Sequence, residues 1–170
     1  AMSDIAPDTL QDSNDLSYLN DDELIRGIEM LFYAYRDFTS DPDEILTKYG
    51  FGRAHHRVVH FVGRNPGMTV AELLAILKVT KQSLSRVLSQ LVSEAFVVQE
   101  KGVRDRRQRL LYLSPKGETL FEELSRPQKD RVARAYRAAG AEAVAGYRKV
   151  LEDLLNAEER AAVLQAVERS

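Results

Sequence analysis

Between residues 80 and 93 the sequence sets Thr80, Lys81, Gln82, Ser83, Ser85, Arg86, Ser89 and Gln90 among leucines and valines. At 3.6 residues per turn, Leu84, Val87, Leu88, Leu91 and Val92 share one side of a helix. Gln82, Arg86, Ser89 and Ser93 share the other. Arginine can address guanine, and glutamine adenine, through two parallel hydrogen bonds each. Small hydroxyl side chains let such a face come close to a base edge or a phosphate. Downstream, Arg104, Asp105, Arg106, Arg107 and Arg109 crowd into six residues. Their chemistry is phosphate contact, or insertion of a guanidinium into a narrow minor groove. A solvated helix face and a charged loop are the plainer readings of these two sets. The elements around them decide.

Other chemistry is thinly represented. His55, His56 and His60 form the one histidine cluster, and His56 and His60 stand four apart on one helix face, a spacing suited to zinc. The chain has no cysteine, and carboxylates to complete such a site would come from other segments. Polar or core histidines are the plainer reading, and no metal or cofactor is expected. There is no nucleophile with a paired base, no Gly-rich phosphate loop and no zincin motif, so no enzyme is expected.

The 170 residues carry a net charge of −2, which alone does not suggest nucleic acid. The distribution does. Residues 1–30 hold eight acidic side chains and one basic one, whereas residues 78–109 hold eight basic and three acidic ones. A basic patch on a near-neutral protein is a local electrostatic footprint. Without cysteine there are no disulfides and no thiol-based sensing. No apolar run approaches the roughly 20 residues of a membrane span. The acidic start does not read as a signal peptide. The expectation is a cytoplasmic protein without membrane contact.

The elements that position the polar face are legible from caps and periods. Asn20 with Glu23 makes a capping-box-like start to a helix reaching about Phe38, with Leu24, Ile28, Leu31, Phe32 and Tyr35 at helical spacing. Ser40-Asp41-Pro42 opens a short helix that stops at Gly50. A helix over 53–64 ends at Asn65-Pro66-Gly67. Thr69 and Glu72 form a capping box for a helix with Val70, Leu73, Leu74 and Leu77 inward. After the tight link Lys78-Val79-Thr80, Thr80 caps the helix bearing the polar face, which reaches about Ala95. The period then changes to 2 over 96–100 and 109–113, a two-stranded hairpin with a basic tip. Ser114-Pro115 starts another helix, which Pro127 should kink or restart and Gly140 should end. Val144, Tyr147, Leu151 and Leu154 follow with the spacing of a helix that packs on a helix. Asn156 and Glu159 cap a last short one. Two short helices joined by a tight turn and followed by a basic hairpin form a winged helix-turn-helix, whose second helix enters the DNA major groove.

The stretch Met68–Gly117 resembles the MarR (multiple antibiotic resistance regulator) family. The likeness rests on Thr69-Val-Ala-Glu-Leu-Leu, on Val79-Thr-Lys-Gln-Ser-Leu-Ser-Arg-Val-Leu-Ser-Gln-Leu, and on Asp105-Arg-Arg-Gln-Arg-Leu-Leu-Tyr-Leu-Ser-Pro-Lys-Gly. The family's wing pattern falls on Asp105, Arg107, Leu113, Ser114 and Gly117. Ala95 departs from it, standing where the family often has glycine.

The resemblance implies a mainly α fold: a winged helix-turn-helix with a two-stranded wing and a helical dimerisation lobe. The layout expected is a flexible acidic tail over 1–18, N-terminal dimerisation helices over 19–50, the DNA-binding domain over 51–117 and C-terminal dimerisation helices over 118–170. It also implies a homodimer that regulates transcription, as a repressor, on a pseudo-palindrome in duplex DNA with half-sites about 10 base pairs apart. Arg107, held by Asp105, would enter the minor groove, leaving Arg104, Arg106 and Arg109 for phosphates. Many members bind a small, often phenolic, effector between their lobes. Tyr33, Tyr35, Phe38, His55, His56 and His60 are the candidates here, with dimer-core packing as the plainer reading of each. The alternative function is a helical protein-interaction module whose winged helix no longer reads DNA. Such a module would not keep a basic wing tip and a small polar helix face.

Overall fold

The computed structural model describes residues 15–169. The acidic tail expected over 1–18 lies outside them except for its last residues, and Ser17–Leu19 form a 3₁₀ turn. The chain divides between Asp41 and Pro42 into two compact units.

The first unit holds helix α1 (Asp21–Ser40). Asn20 caps it, its side chain accepting from the Glu23 N–H at 3.0 Å. The capping box is only half formed, because the Glu23 carboxylate pairs with Arg26 instead of reaching back. The apolar stripe of α1 is exposed: Ile28, Leu31, Phe32 and Tyr35 keep 69, 51, 63 and 51% of their surface. A helix of this length is marginal in water unless such a stripe is buried.

The second unit starts with α2 (Asp43–Lys48), which buries Leu46, and α3 (Arg53–Arg64), which buries Val58, Val59 and Val62. Strand β1 (Met68–Thr69) leads into α4 (Val70–Leu77), and α5 (Lys81–Ser93) follows after three residues. Strands β2 (Val97–Lys101) and β3 (Arg109–Leu113) form the hairpin. The sheet has three strands in the order β1-β3-β2, all antiparallel, with Met68 opposite Leu111 and Gln99 opposite Leu111 on the other edge. The expected two-stranded hairpin is present as β2 and β3, and β1 adds a third strand that the sequence reading did not include. A two-residue strand shows no period of its own, and β3 recruits it through pairing.

Helix α6 (Pro115–Ala139) carries Pro127 in its interior. Of the two outcomes expected at Pro127, a kink or a restart, the restart does not occur. Leu120, Leu124 and Ser125 are buried before the proline, and packing on α3 fixes that stretch. Only one backbone N–H is missing from the ladder. Gly140, at φ 89°, ends α6 and opens α7 (Ala141–Leu154). The last helix, α8, begins at Arg160 and runs to Glu168. Asn156 therefore does not cap it. Its carbonyl accepts from the Glu159 N–H at 3.1 Å in a turn that precedes the helix.

One core serves this second unit. Leu73, Leu91, Leu111 and Val62 are almost fully buried at its centre, bringing α3, α4, α5 and β3 together. Helices α4 and α5 are too short to hold their shape alone. Their fixed orientation comes from this burial, and the polar face of α5 inherits it.

Candidate nucleic-acid interface

The turn between α4 and α5 is built from caps at both ends. Thr69 Oγ1 accepts from the Glu72 N–H at 3.1 Å, and a Glu72 carboxylate oxygen accepts from the Thr69 hydroxyl at 3.1 Å and from its N–H at 3.4 Å. Lys78 closes α4 in the left-handed region, at φ 53°. Thr80 Oγ1 then accepts from the Ser83 N–H at 3.1 Å and donates to Ser83 Oγ at 2.8 Å. A threonine cap of this kind contributes about 1 kcal/mol to the helix it starts.

Helix α5 buries Leu84, Leu88 and Leu91. Lys81, Gln82, Ser83, Ser85, Arg86 and Ser89 are all exposed. Gln90 is different. It is half-buried, and its Oε1 lies 2.7 Å from His55 Nε2 on α3. Seven of the eight candidate residues, with the capping Thr80, thus lie at the start or on the outer face of α5, and Gln90 faces the protein.

The hairpin tip, residues 102–108, is shaped by its own backbone. Gly102 N–H donates to Gln108 O and Gln108 N–H to Asp105 O, each at 3.1 Å. A Cβ on Gly102 would sit 2.5 Å from Asp105 O, so the tip closes only around glycine. Asp105 Oδ1 accepts from the backbone N–H of Arg107 at 2.9 Å. Asp105 therefore holds Arg107 by its backbone and leaves the guanidinium free of it. Arg104, Arg106, Arg107 and Arg109 are exposed, and none has an ion-pair partner among the described residues. Cations left unpaired at a hairpin tip are available to an external anion.

The wing is joined to α6 at one tight junction. Ser114 Oγ donates to Ala95 O at 2.6 Å and accepts from the Gly117 N–H at 3.0 Å. Gly117 packs so closely on the start of β2 that a Cβ there would lie 2.1 Å from Phe96 O. Ala95, where glycine was the familial expectation, takes φ 66°. An L-residue in that region costs roughly 1–2 kcal/mol, and glycine returns about 0.4–1 kcal/mol of that through the entropy of the unfolded chain. Ala95→Gly should therefore stabilise the protein by up to about 1 kcal/mol in urea unfolding. A destabilised variant would mean that the methyl group packs.

The histidines do different things. His55 stacks on Phe51, its ring centroid 4.7 Å away, and its Nδ1 accepts from the Gly52 N–H at 3.0 Å. Burial, then the neighbouring His60 and Arg57, holds His56 down at about 4, against the opposing pull of Asp43. Burial and Arg64 lower His60 as well. His60 also stacks on Phe121 of α6, at 5.8 Å. Both imidazoles are neutral at pH 7, so they add nothing to the basic surface. Among the described residues no group of three metal-ligating side chains occurs. The remaining effector candidates lie on α1: Tyr33 meets Phe32 edge-on at 5.4 Å and lies under the Arg36 guanidinium at 4.7 Å, Tyr35 is exposed, and Phe38 is half-buried. No described helix is long and apolar enough to cross a membrane.

Comparison with known proteins now gives this geometry its relatives. Residues 49–108 match the MarR family, a span that includes α4, α5 and most of the wing. The HTH-type transcriptional regulator PetP of Rhodobacter capsulatus is 52% identical over 141 residues, which cover 83% of this chain and 85% of that protein. Among solved structures, FabT of Streptococcus pneumoniae in complex with DNA shares the fold with a TM-score of 0.67 at 21% identity, covering 77% of this chain and 94% of that one. A mutant MarR from E. coli complexed with operator DNA does so with a TM-score of 0.63 at 22% identity, covering 84% and 99%. The relatives are transcriptional regulators and not enzymes. By its capped helix pair, its basic wing and its 52% identity to PetP, this chain belongs to the MarR family of transcriptional regulators.

Proposed function

We propose that the chain is a cytoplasmic, sequence-specific DNA-binding repressor that works as a homodimer on a pseudo-palindromic operator and is released by a small-molecule effector. The observation that carries the DNA reading is the pairing of an outward polar face on α5 with four wing arginines that have no ion-pair partner among the described residues. The first suits base edges in the major groove, and the second suits phosphates and the minor groove. The solved complexes of FabT and MarR with DNA support this use of the fold.

In this reading Thr80, Lys81, Gln82, Ser83, Ser85, Arg86 and Ser89 face the major groove. Arg107 enters the minor groove, while Arg104, Arg106 and Arg109 meet phosphates. The exposed apolar stripe of α1 supports the dimer, with Tyr147 and Leu154 of α7, at 51 and 61% exposure, as further apolar surface for a second copy. An effector would act by changing the separation of the two α5 helices, so that both no longer fit their half-sites.

The wing gives the sharpest test. The Arg107 side chain is exposed and has no ion-pair partner among the described residues. Arg107→Ala should lower operator affinity about tenfold while leaving dimer and thermal stability unchanged. Titration of a labelled operator fragment measures this, and full affinity in the variant would overturn the wing assignment.

A further inference from the structure

Gln90 belongs by its position to the helix that would read DNA, yet its side chain is spent inside the protein. His55 and Gln90 stand 35 residues apart on two different helices, with Nε2 and Oε1 separated by 2.7 Å. The other ring nitrogen fixes the polarity of this bond. Nδ1 accepts from the Gly52 N–H at 3.0 Å, so it carries no proton. The single proton of the neutral ring is then on Nε2, which donates to Gln90 Oε1. A stacked Phe51, 4.7 Å from the His55 ring and almost parallel to it, removes the remaining freedom of the imidazole. Phe51 is itself buried against Phe96, at 5.2 Å, where β2 begins.

We infer that His55 is a positioning residue for DNA recognition, setting the rotation of α5 about its own axis through Gln90. Burial of Leu84, Leu88 and Leu91 fixes which side of α5 faces the core, but apolar contacts are non-directional and set the fine angle of the helix about its axis less sharply. A hydrogen bond at the edge of that side, anchored on the first turn of α3, removes the remaining freedom. Because Gln90 lies three residues beyond Val87 and four beyond Arg86, its tether fixes the angle at which Gln82, Arg86 and Ser89 project. Gln90 on this account contacts no base. Selectivity depends on where the outer face points, whereas attraction to phosphates depends on the wing and on charge, so the two can be separated by measurement.

The inference rests on the DNA-reading function proposed above, and the test keeps the two apart. Operator and unrelated duplexes are titrated with the unvaried protein, with His55→Phe, which keeps the stack on Phe51, with Gln90→Met, which keeps the shape, and with the double variant. The expected result is a loss of operator affinity of about tenfold in each single variant, with unrelated-duplex affinity and its salt slope unchanged. The double variant should be no worse than either single one, because one bond is removed in all three. Additive losses, or a Gln90→Met effect confined to one operator base pair, would overturn the inference and return Gln90 to direct contact. Unaltered operator affinity in both single variants, while the unvaried protein still discriminates, overturns this inference alone. Failure of the unvaried protein to discriminate among duplexes overturns both.

Discussion

Gly117→Ala should destabilise the protein by about 2–3 kcal/mol, the range of an overpacked core position that cannot relax easily. The obstacle is backbone. The added Cβ would lie 2.1 Å from Phe96 O and 3.2 Å from Leu113 Cβ, at the point where both wing strands meet the start of α6. Phe96 O already accepts from the Ser114 N–H at 3.0 Å, so it cannot swing away without losing that bond. The strain would be relieved by moving α6 off the wing, and the wing would shift relative to α5. A fall in operator affinity larger than that of Arg107→Ala is therefore expected as well. Gly146→Ala is the matched control. A Cβ there meets nothing within 4 Å, and α7 should gain about 0.5–1 kcal/mol from it. Urea unfolding of the two variants reads both effects. Equal stabilities would contradict the close approach at Gly117.

The second large effect concerns assembly. Leu31 keeps 51% of its surface exposed on α1, beside Ile28, Phe32 and Tyr35. In a single chain a glutamate there would be nearly harmless. In a homodimer that covers this stripe, it would place a charge in an apolar interface on both copies, at a cost of several kcal/mol. Leu31→Glu should then sediment as a single chain at micromolar concentration and lose about a hundredfold or more in operator affinity, since one reading helix replaces two. An unchanged dimer would show that α1 covers something else.

The parts of this molecule that were legible in the sequence are those fixed by local chemistry. Thr69, Thr80 and Ser114 each announce a helix start through a side-chain oxygen, and each accepts the expected backbone N–H. The inward leucines of α4 and α5 follow from spacing alone. The parts that were not legible depend on partners remote in the chain. Strand β1 is two residues long and exists only because β3 pairs with it. Pro127 breaks the local rule for a helix interior, and burial of Leu120 and Leu124 against α3 carries the helix through it. Gln90 sits near the border of the polar face on a helical projection, and His55, from another helix, decides which way it turns. The resemblance implies that Asp105 holds Arg107, but that it does so through the Arg107 N–H depends on the tight tip, which the sequence does not display. The residue type of Ala95 hides its positive φ, and only the glycine that the resembled family often has there hints at it.

The central claim is that this protein reads DNA, and duplex binding tests it most directly. Purified protein would be titrated with fragments from upstream of its own coding region and with an unrelated fragment, at two salt concentrations. The account predicts binding that prefers one upstream fragment and falls steeply with salt, because phosphate contacts release counterions. No binding to any duplex at low salt, where those contacts are strongest, would contradict it and leave the winged helix as a surface for another protein.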